Sequence, residues 1–238
     1  YRYAEAYIKK RQFQAAEQKY EALLRKYPKE AKAALDWAGL EKDRAKYQEA
    51  IDVLKKRILN YDYFNKDALS LMGNVYLDWA DEDPKYYEEA RRGFAALIQR
   101  YGYRDEFLEG MLLYFIRTDN LKEVKPLLVH FMAVAKPFPK ASTLAELGGY
   151  LLDKGPIEDV HAVLSAAVAK DPTVPEVHYQ LARYFKRIST PSEELKALNN
   201  AVNGFGRLPL LSRPQLCQYL DSLIWRGNRK AANKEFVS

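Results

Sequence analysis

Cysteine is nearly absent. The 238 residues contain one, Cys217, so an intramolecular disulfide and a cysteine-built metal cluster are both ruled out. A lone thiol leaves the compartment open, because many exported proteins carry no disulfide. Histidine is scarce as well. His130, His161 and His178 lie far apart, and none has a second histidine or a cysteine at ligand spacing, which argues against a metal site. Glycine and proline number 11 each, a balance that favours helices over strands and tight turns. No run of eighteen apolar residues occurs, so no segment reads as a membrane span. The GxSxG elbow and the GxxxxGK[ST] phosphate loop are both missing. Gly148-Gly149 sits in a helical pattern rather than after a strand, and cannot cradle a phosphate as a dinucleotide loop does. Asp78, Asp81, Glu82 and Asp83 hint at calcium, yet the glycine and closing glutamate of an EF-hand loop are lacking. A solvated acidic loop is the better reading. Among the many carboxylates no pair stands out as acid and base. These absences leave no catalytic residue and no cofactor to assign.

What is present is ordinary for a folded helical protein: 48% hydrophobic residues, 29% charged residues and 18 tyrosines. Lysine and arginine total 38 against 32 acids, for a net charge of +6. The two signs are interspersed, which fits a mixed, solvated surface better than a nucleic-acid patch. The chain opens on Tyr1 rather than methionine. It is read as a piece of a longer chain, soluble, and either cytoplasmic or exported to a periplasm after loss of a signal peptide.

The clearest pattern is Leu144 to Pro172. Leu144, Leu147, Gly148 and Leu151 form one apolar helix face with a small residue in it. Lys154-Gly155-Pro156 breaks that helix. Ile157, Val160, Leu164, Ala167 and Val168 form a second face, and Asp171-Pro172 stops it, since proline lacks an N–H and disfavours helix before it. The plan recurs. Tyr7, Phe13, Ala16, Tyr20, Leu24 and Pro28 repeat it, as do Trp37, Ala38, Tyr47, Ala50, Leu54 and Ile58. Gly73, Tyr76, Ala90, Phe94 and Leu97 make a third copy, with a polar insertion at Asp81–Lys85. The small residues of the second helices mark the register: Ala16, Ala50, Ala90, Val124, Val160 and then Glu194. The first two are 34 residues apart, as are the third and fourth. Glu194 is a charge where the other copies carry a small or compact apolar residue. Thr190-Pro191-Ser192-Glu193 predicts a capped helix start. Leu216, Tyr219, Leu220 and Leu223, then Gly227-Asn228, then Ala232 and Phe236 read as a last hairpin.

These residues resemble the tetratricopeptide repeat, a helix–turn–helix unit of about 34 residues. The resemblance implies an all-α fold, a right-handed superhelical solenoid of helix–turn–helix repeats. It covers nearly the whole chain as a single solenoid of about seven hairpins, at 1–30, 31–64, 65–103, 104–139, 140–173, 174–208 and 209–238. It also implies function through the concave groove lined by first helices, which grips a peptide or helix of a protein partner. Transferred unit by unit, the groove positions include Leu35, Gly39 and Lys42; Ser70, Asn74 and Leu77; Phe107, Met111 and Tyr114. They continue through Ala145, Gly149 and Leu152; Tyr179, Arg183 and Lys186; Cys217, Asp221 and Ile224. The partner-binding candidates are Asn74, Met111, Tyr114, Tyr179, Arg183 and Lys186, and the partner is expected to be acidic. The carboxylate clamp of chaperone-binding relatives is argued against, because Asn74 stands alone and Leu108 occupies the place of its partner. The expected role is a non-enzymatic interaction scaffold in a larger assembly, of the bacterial envelope, secretion or flagellar kind. Two alternatives are a repeat domain serving a catalytic domain outside this chain, and an RNA-binding helical repeat. The second alternative needs bases and stacking aromatics repeated on one face.

Overall fold

The computed structural model describes residues 2–132 and 139–235. Every regular element among the described residues is helical. The order is α1 Arg2–Lys9, α2 Phe13–Lys26, α3 Ala31–Asp43, α4 Tyr47–Leu54, α5 Lys66–Ala80, α6 Tyr86–Tyr101, α7 Asp105–Arg117, α8 Leu121–Met132, α9 Ala141–Lys154, α10 Ile157–Lys170, α11 Pro175–Arg187, α12 Pro191–Phe205 and α13 Arg213–Glu235. A π-helical turn, Lys55–Leu59, extends α4. The chain is therefore an all-α helical repeat. It parts into two compact units, Tyr1–Tyr114 and Phe115–Ser238.

The register marks explain why the helices pair. Ala16, Ala50, Ala90, Val124, Val160 and Glu194 are each 0% exposed, one to every second helix. A hairpin of amphipathic helices needs one position where the axes come close, and these residues occupy it. Four of the turns that follow a first helix share one geometry. Arg11, Ala45, Asp119 and Ser189 adopt φ of 56–58°. The amide of the next residue reaches back five residues, as Lys46 N–H does to the Glu41 carbonyl at 2.9 Å and Thr190 N–H to the Phe185 carbonyl at 2.9 Å. This is a Schellman ending, and it reverses the chain without a glycine at the left-handed position. Thr190 departs from its expected role as a side-chain cap. Its hydroxyl donates to the Phe185 carbonyl at 3.2 Å instead, closing the helix before it rather than opening the one after.

In the first unit the core gathers around Phe94 of α6, with Leu77, Ala90, Leu97 and Phe107. Phe94 is wedged between two glycines. A β-carbon on Gly73 of α5 falls 2.8 Å from its ring, and one on Gly110 of α7 falls 2.2 Å from it. Glycine is thus required at both places so that three helices can close on one ring.

The second unit uses the same device with an aliphatic knob. Leu164 of α10 is fully buried and sits over Gly148, where an added β-carbon falls 2.4 Å from its Cδ2. One residue on, a β-carbon added to Gly149 falls 2.8 Å from Gln180 Nε2 of α11, so the glycine lets α11 lie against α9. Ala182, Ala197 and Leu198 form the next core, with Leu181, Phe185 and Trp225 packed on it.

The last interval differs from expectation. The pattern predicts a hairpin broken at Gly227-Asn228, but α13 runs unbroken through both. A single glycine costs a helix interior only about 1 kcal/mol. Trp225 and Arg229, on either side of it, both bind Glu194 of α12 and so tie down the helix across the weak point. Phe236, assigned to the second helix of that hairpin, lies outside the described residues.

Candidate functional site

Pro175 opens α11 at its first turn, where a missing N–H is harmless. The helix then presents Tyr179, Arg183 and Lys186 at spacings of four and three, on one face. α13 brings Asp221, Ile224, Trp225 and Asn228 opposite them, also at helical spacing. Together these seven residues line a cleft of about 380 Å³.

The cleft is polar at one wall and aromatic at the other. The Tyr179 hydroxyl donates to Asp221 Oδ2 at 2.8 Å. Burial and that bond push the Tyr179 phenol up to about 12. Arg183 is gripped from two sides, donating from Nη2 to Asp153 Oδ1 at 2.6 Å and from Nη1 to Gln180 Oε1 at 2.9 Å. The sequence expectation of an arginine waiting in an open groove is thus refined: its guanidinium is half-buried and already oriented. Lys186 is exposed and rests 4.7 Å from the centre of the Trp225 ring, a cation–π contact.

The cleft depends on a residue that looked misplaced. Glu194 is 0% exposed, and a buried carboxylate without donors is costly. It accepts from Trp225 Nε1 at 2.8 Å and from Arg229 Nη2 at 2.6 Å, and Arg229 Nε adds a further bond. The same Trp225 forms the cleft wall. Glu194 therefore fixes α13 on α12 and sets the wall facing Tyr179. Trp225 and Arg229 escaped the sequence reading. The signal was there in principle: a charge at a packed register mark calls for donors, and a Trp–Arg pair four residues apart follows in the last helix.

The other candidates lie in the first unit. Asn74 is half-buried on α5. Met111 and Tyr114 pack against the Phe94 core, and Tyr114 meets Tyr87 edge-on at 6.4 Å. Several transferred groove positions prove to be core. Leu77, Phe107, Ala145 and Leu152 are all buried, and Gly149 lies under Gln180. Leu77 and Phe107 belong to the Phe94 cluster, and α11 covers α9 at Gly149, packing that the transferred register had left open. Gly39, by contrast, has open space where a side chain would stand.

Among the described residues no group of three His, Cys, Asp or Glu side chains is arranged to hold a metal ion. No helix among them is long and apolar enough to cross a membrane.

No protein-family model matches the sequence, and no curated protein matches it. Solved structures do. A thermophilic tetratricopeptide-repeat protein of Thermus thermophilus, TTC0263, superimposes with a TM-score of 0.58 at 16% identity, over 81% of this chain and 98% of that one. A tetratricopeptide-repeat protein from Parabacteroides merdae gives 0.54 at 14% identity, over 97% and 88%. At this identity the likeness establishes the fold, and the fold is that of tetratricopeptide-repeat proteins.

Proposed function

We propose that this helical-repeat chain is a non-enzymatic interaction scaffold, and that the cleft between α11 and α13 receives a peptide or helix from a protein partner. The observation that carries the proposal is the cleft itself. Tyrosine, tryptophan and arginine are the residue types that dominate interface energies, and Tyr179, Arg183 and Trp225 line one depression. An acidic partner suits it. Asp153 is an exposed partner for Arg183, 56% accessible, and an exposed ion pair is worth about 0–1 kcal/mol. A partner carboxylate replaces Asp153 on the guanidinium at little cost, and takes a two-pronged grip that lysine cannot give. Lys186 supplies a second charge at the rim.

Selection from a displayed peptide library against the 238-residue chain tests this reading. Enriched peptides are expected to carry Asp or Glu beside an apolar residue. Charge reversal at Arg183→Glu slows their association, whereas Tyr179→Ala mainly speeds dissociation. Peptides that bind the double variant as tightly as the parent overturn the assignment of this cleft.

A further inference from the structure

In the first unit every exposed large apolar side chain among the described residues is aromatic: Tyr3, Tyr27, Tyr61, Tyr63, Phe64 and Tyr103. Apart from Tyr3, all belong to turns that lead from the second helix of one pair to the first helix of the next. Successive helices alternate in direction, so these turns share one edge of the unit. Two of the turns are joined directly. The Arg100 guanidinium lies 3.3 Å from the Phe64 ring centre, the Tyr101 hydroxyl donates to the Phe64 carbonyl, and Lys66 Nζ is 3.3 Å from Glu106. Of the turn residues, Tyr63 and Tyr103 stand out furthest, at 73% and 83% exposure.

The same edge is basic. Segments 25–30 and 55–67 hold seven bases against three acids, while 100–106 is balanced. The acids there are engaged: Asp62 accepts from Asn65, and Asp67 and Glu106 share Lys66. Glu106 also faces Arg104. Among the described residues Lys29 and Arg57 have no salt-bridge partner, Lys55 acts on Asp52 only through space, behind Lys56, and Lys26 lies over Tyr27 at 5.4 Å.

We propose that this edge of the first unit docks on an anionic lipid surface, with tyrosine rings at headgroup depth and the uncommitted lysines and arginines on the phosphates. Three observations point to that occupant. The exposed rings are almost all tyrosines and none of the exposed large apolar side chains described there is aliphatic, which is the selection made by the bilayer interface rather than by its hydrocarbon core. The surplus charge is positive, matching an anionic leaflet. The faces of Phe64 and Tyr27 are already taken by Arg100 and Lys26, so they are not open platforms for nucleic-acid bases, which bind by stacking. This surface is independent of the α11–α13 cleft.

The test is sedimentation of the 238-residue chain with vesicles of phosphatidylcholine alone and of phosphatidylcholine with phosphatidylserine. Binding is expected to the anionic vesicles only, and to weaken with salt. Lys55→Gln and Arg57→Gln should each reduce it by about fivefold. The Tyr63→Ser, Tyr103→Ser double variant should reduce it on the order of tenfold while melting like the parent, as both side chains are exposed. If that double variant misfolds, the two charge variants carry the test alone. No sedimentation with anionic vesicles at low salt, or equal binding by all variants, overturns the proposal. So does tighter binding to a single-stranded oligouridylate that is lost with the same variants, an outcome that reassigns the edge to nucleic acid.

Discussion

Glu41 and Glu194 are both buried carboxylates, 2% and 0% exposed, and each binds a tryptophan and an arginine. They differ in where the donors come from. Glu41 accepts from Trp37 Nε1 at 3.0 Å and Arg44 Nη1 at 3.3 Å, with Lys46 Nζ 3.6 Å away. All three lie on its own helix or in the turn that ends it. Glu194 accepts from Trp225 and Arg229, 31 and 35 residues later. The first network closes a helix end. The second fastens one helix to another and builds the wall of a cleft. The carboxylate itself thus draws on neighbours in sequence in the first unit and on a distant helix in the second, although Arg44 and Lys46 also pair with Glu17 of α2.

The sharpest way to break the comparison is to delete the tether. Glu194→Ala leaves Trp225 and Arg229 without their acceptor. The expected cost is about 3 kcal/mol, at the low end for breaking a buried ion pair because Arg229 can reach water. Urea denaturation measures it. Next is the contrast between the two glycine seats. Gly110→Ala drives a methyl into the rigid Phe94 ring, which Gly73 confines from the other side, and should cost about 2–3 kcal/mol. Gly148→Ala meets the flexible end of Leu164 and should cost about 1 kcal/mol. Equal losses in thermal melts would show that the ring has room to shift.

Glu41→Ala should cost less than loss of the tether, about 1–2 kcal/mol, since Lys46 is partly solvated already. Burial raises the Glu41 carboxyl above its ordinary 4.5, with Trp37 and Lys46 only partly offsetting it. The folded protein therefore holds this proton more tightly than the unfolded chain does. Its contribution to stability falls as pH rises through the carboxylate range, and Glu41→Gln should flatten that part of the stability–pH curve. The smallest effect concerns alkali. Tyr179 is raised from 10.0 to about 12, chiefly by burial, and Tyr20 likewise. The stability tied to these neutral phenols is complete below pH 10 and is lost as pH climbs towards 12. Melting Tyr179→Phe beside the parent over that range should show a shallower alkaline decline.

Much of this architecture was legible in the residues. Ala16, Ala50, Ala90, Val124 and Val160 could be aligned by spacing alone, and close helix packing needs small or compact residues at such points. Tyr179, Arg183 and Lys186 could be grouped because helical spacing puts them on one face, and the structure brings these three into one cleft. The opposite wall was not legible. Trp225 meets Glu194 only after α13 has docked, and such pairing carries no local signature. The groove register failed at Leu77, Phe107 and Ala145, all buried, for a related reason: whether a helix position is open or covered depends on tertiary packing, such as the Phe94 cluster that takes in Leu77 and Phe107, which spacing does not show. Gly227-Asn228 misled because a helix-weakening pair reads as a break unless tertiary bonds span it.

The Glu194 tether positions α13 and thereby makes the cleft. Amide hydrogen exchange on the 238-residue chain tests it most directly, comparing Glu194→Ala and Glu41→Ala with the parent. Glu194→Ala should strip protection from the amides of 213–235 while α3 and α4 keep theirs, and Glu41→Ala should act at the end of α3 and leave 213–235 protected. If α13 stays as protected in Glu194→Ala as in the parent, the tether does not hold that helix and the cleft does not depend on it.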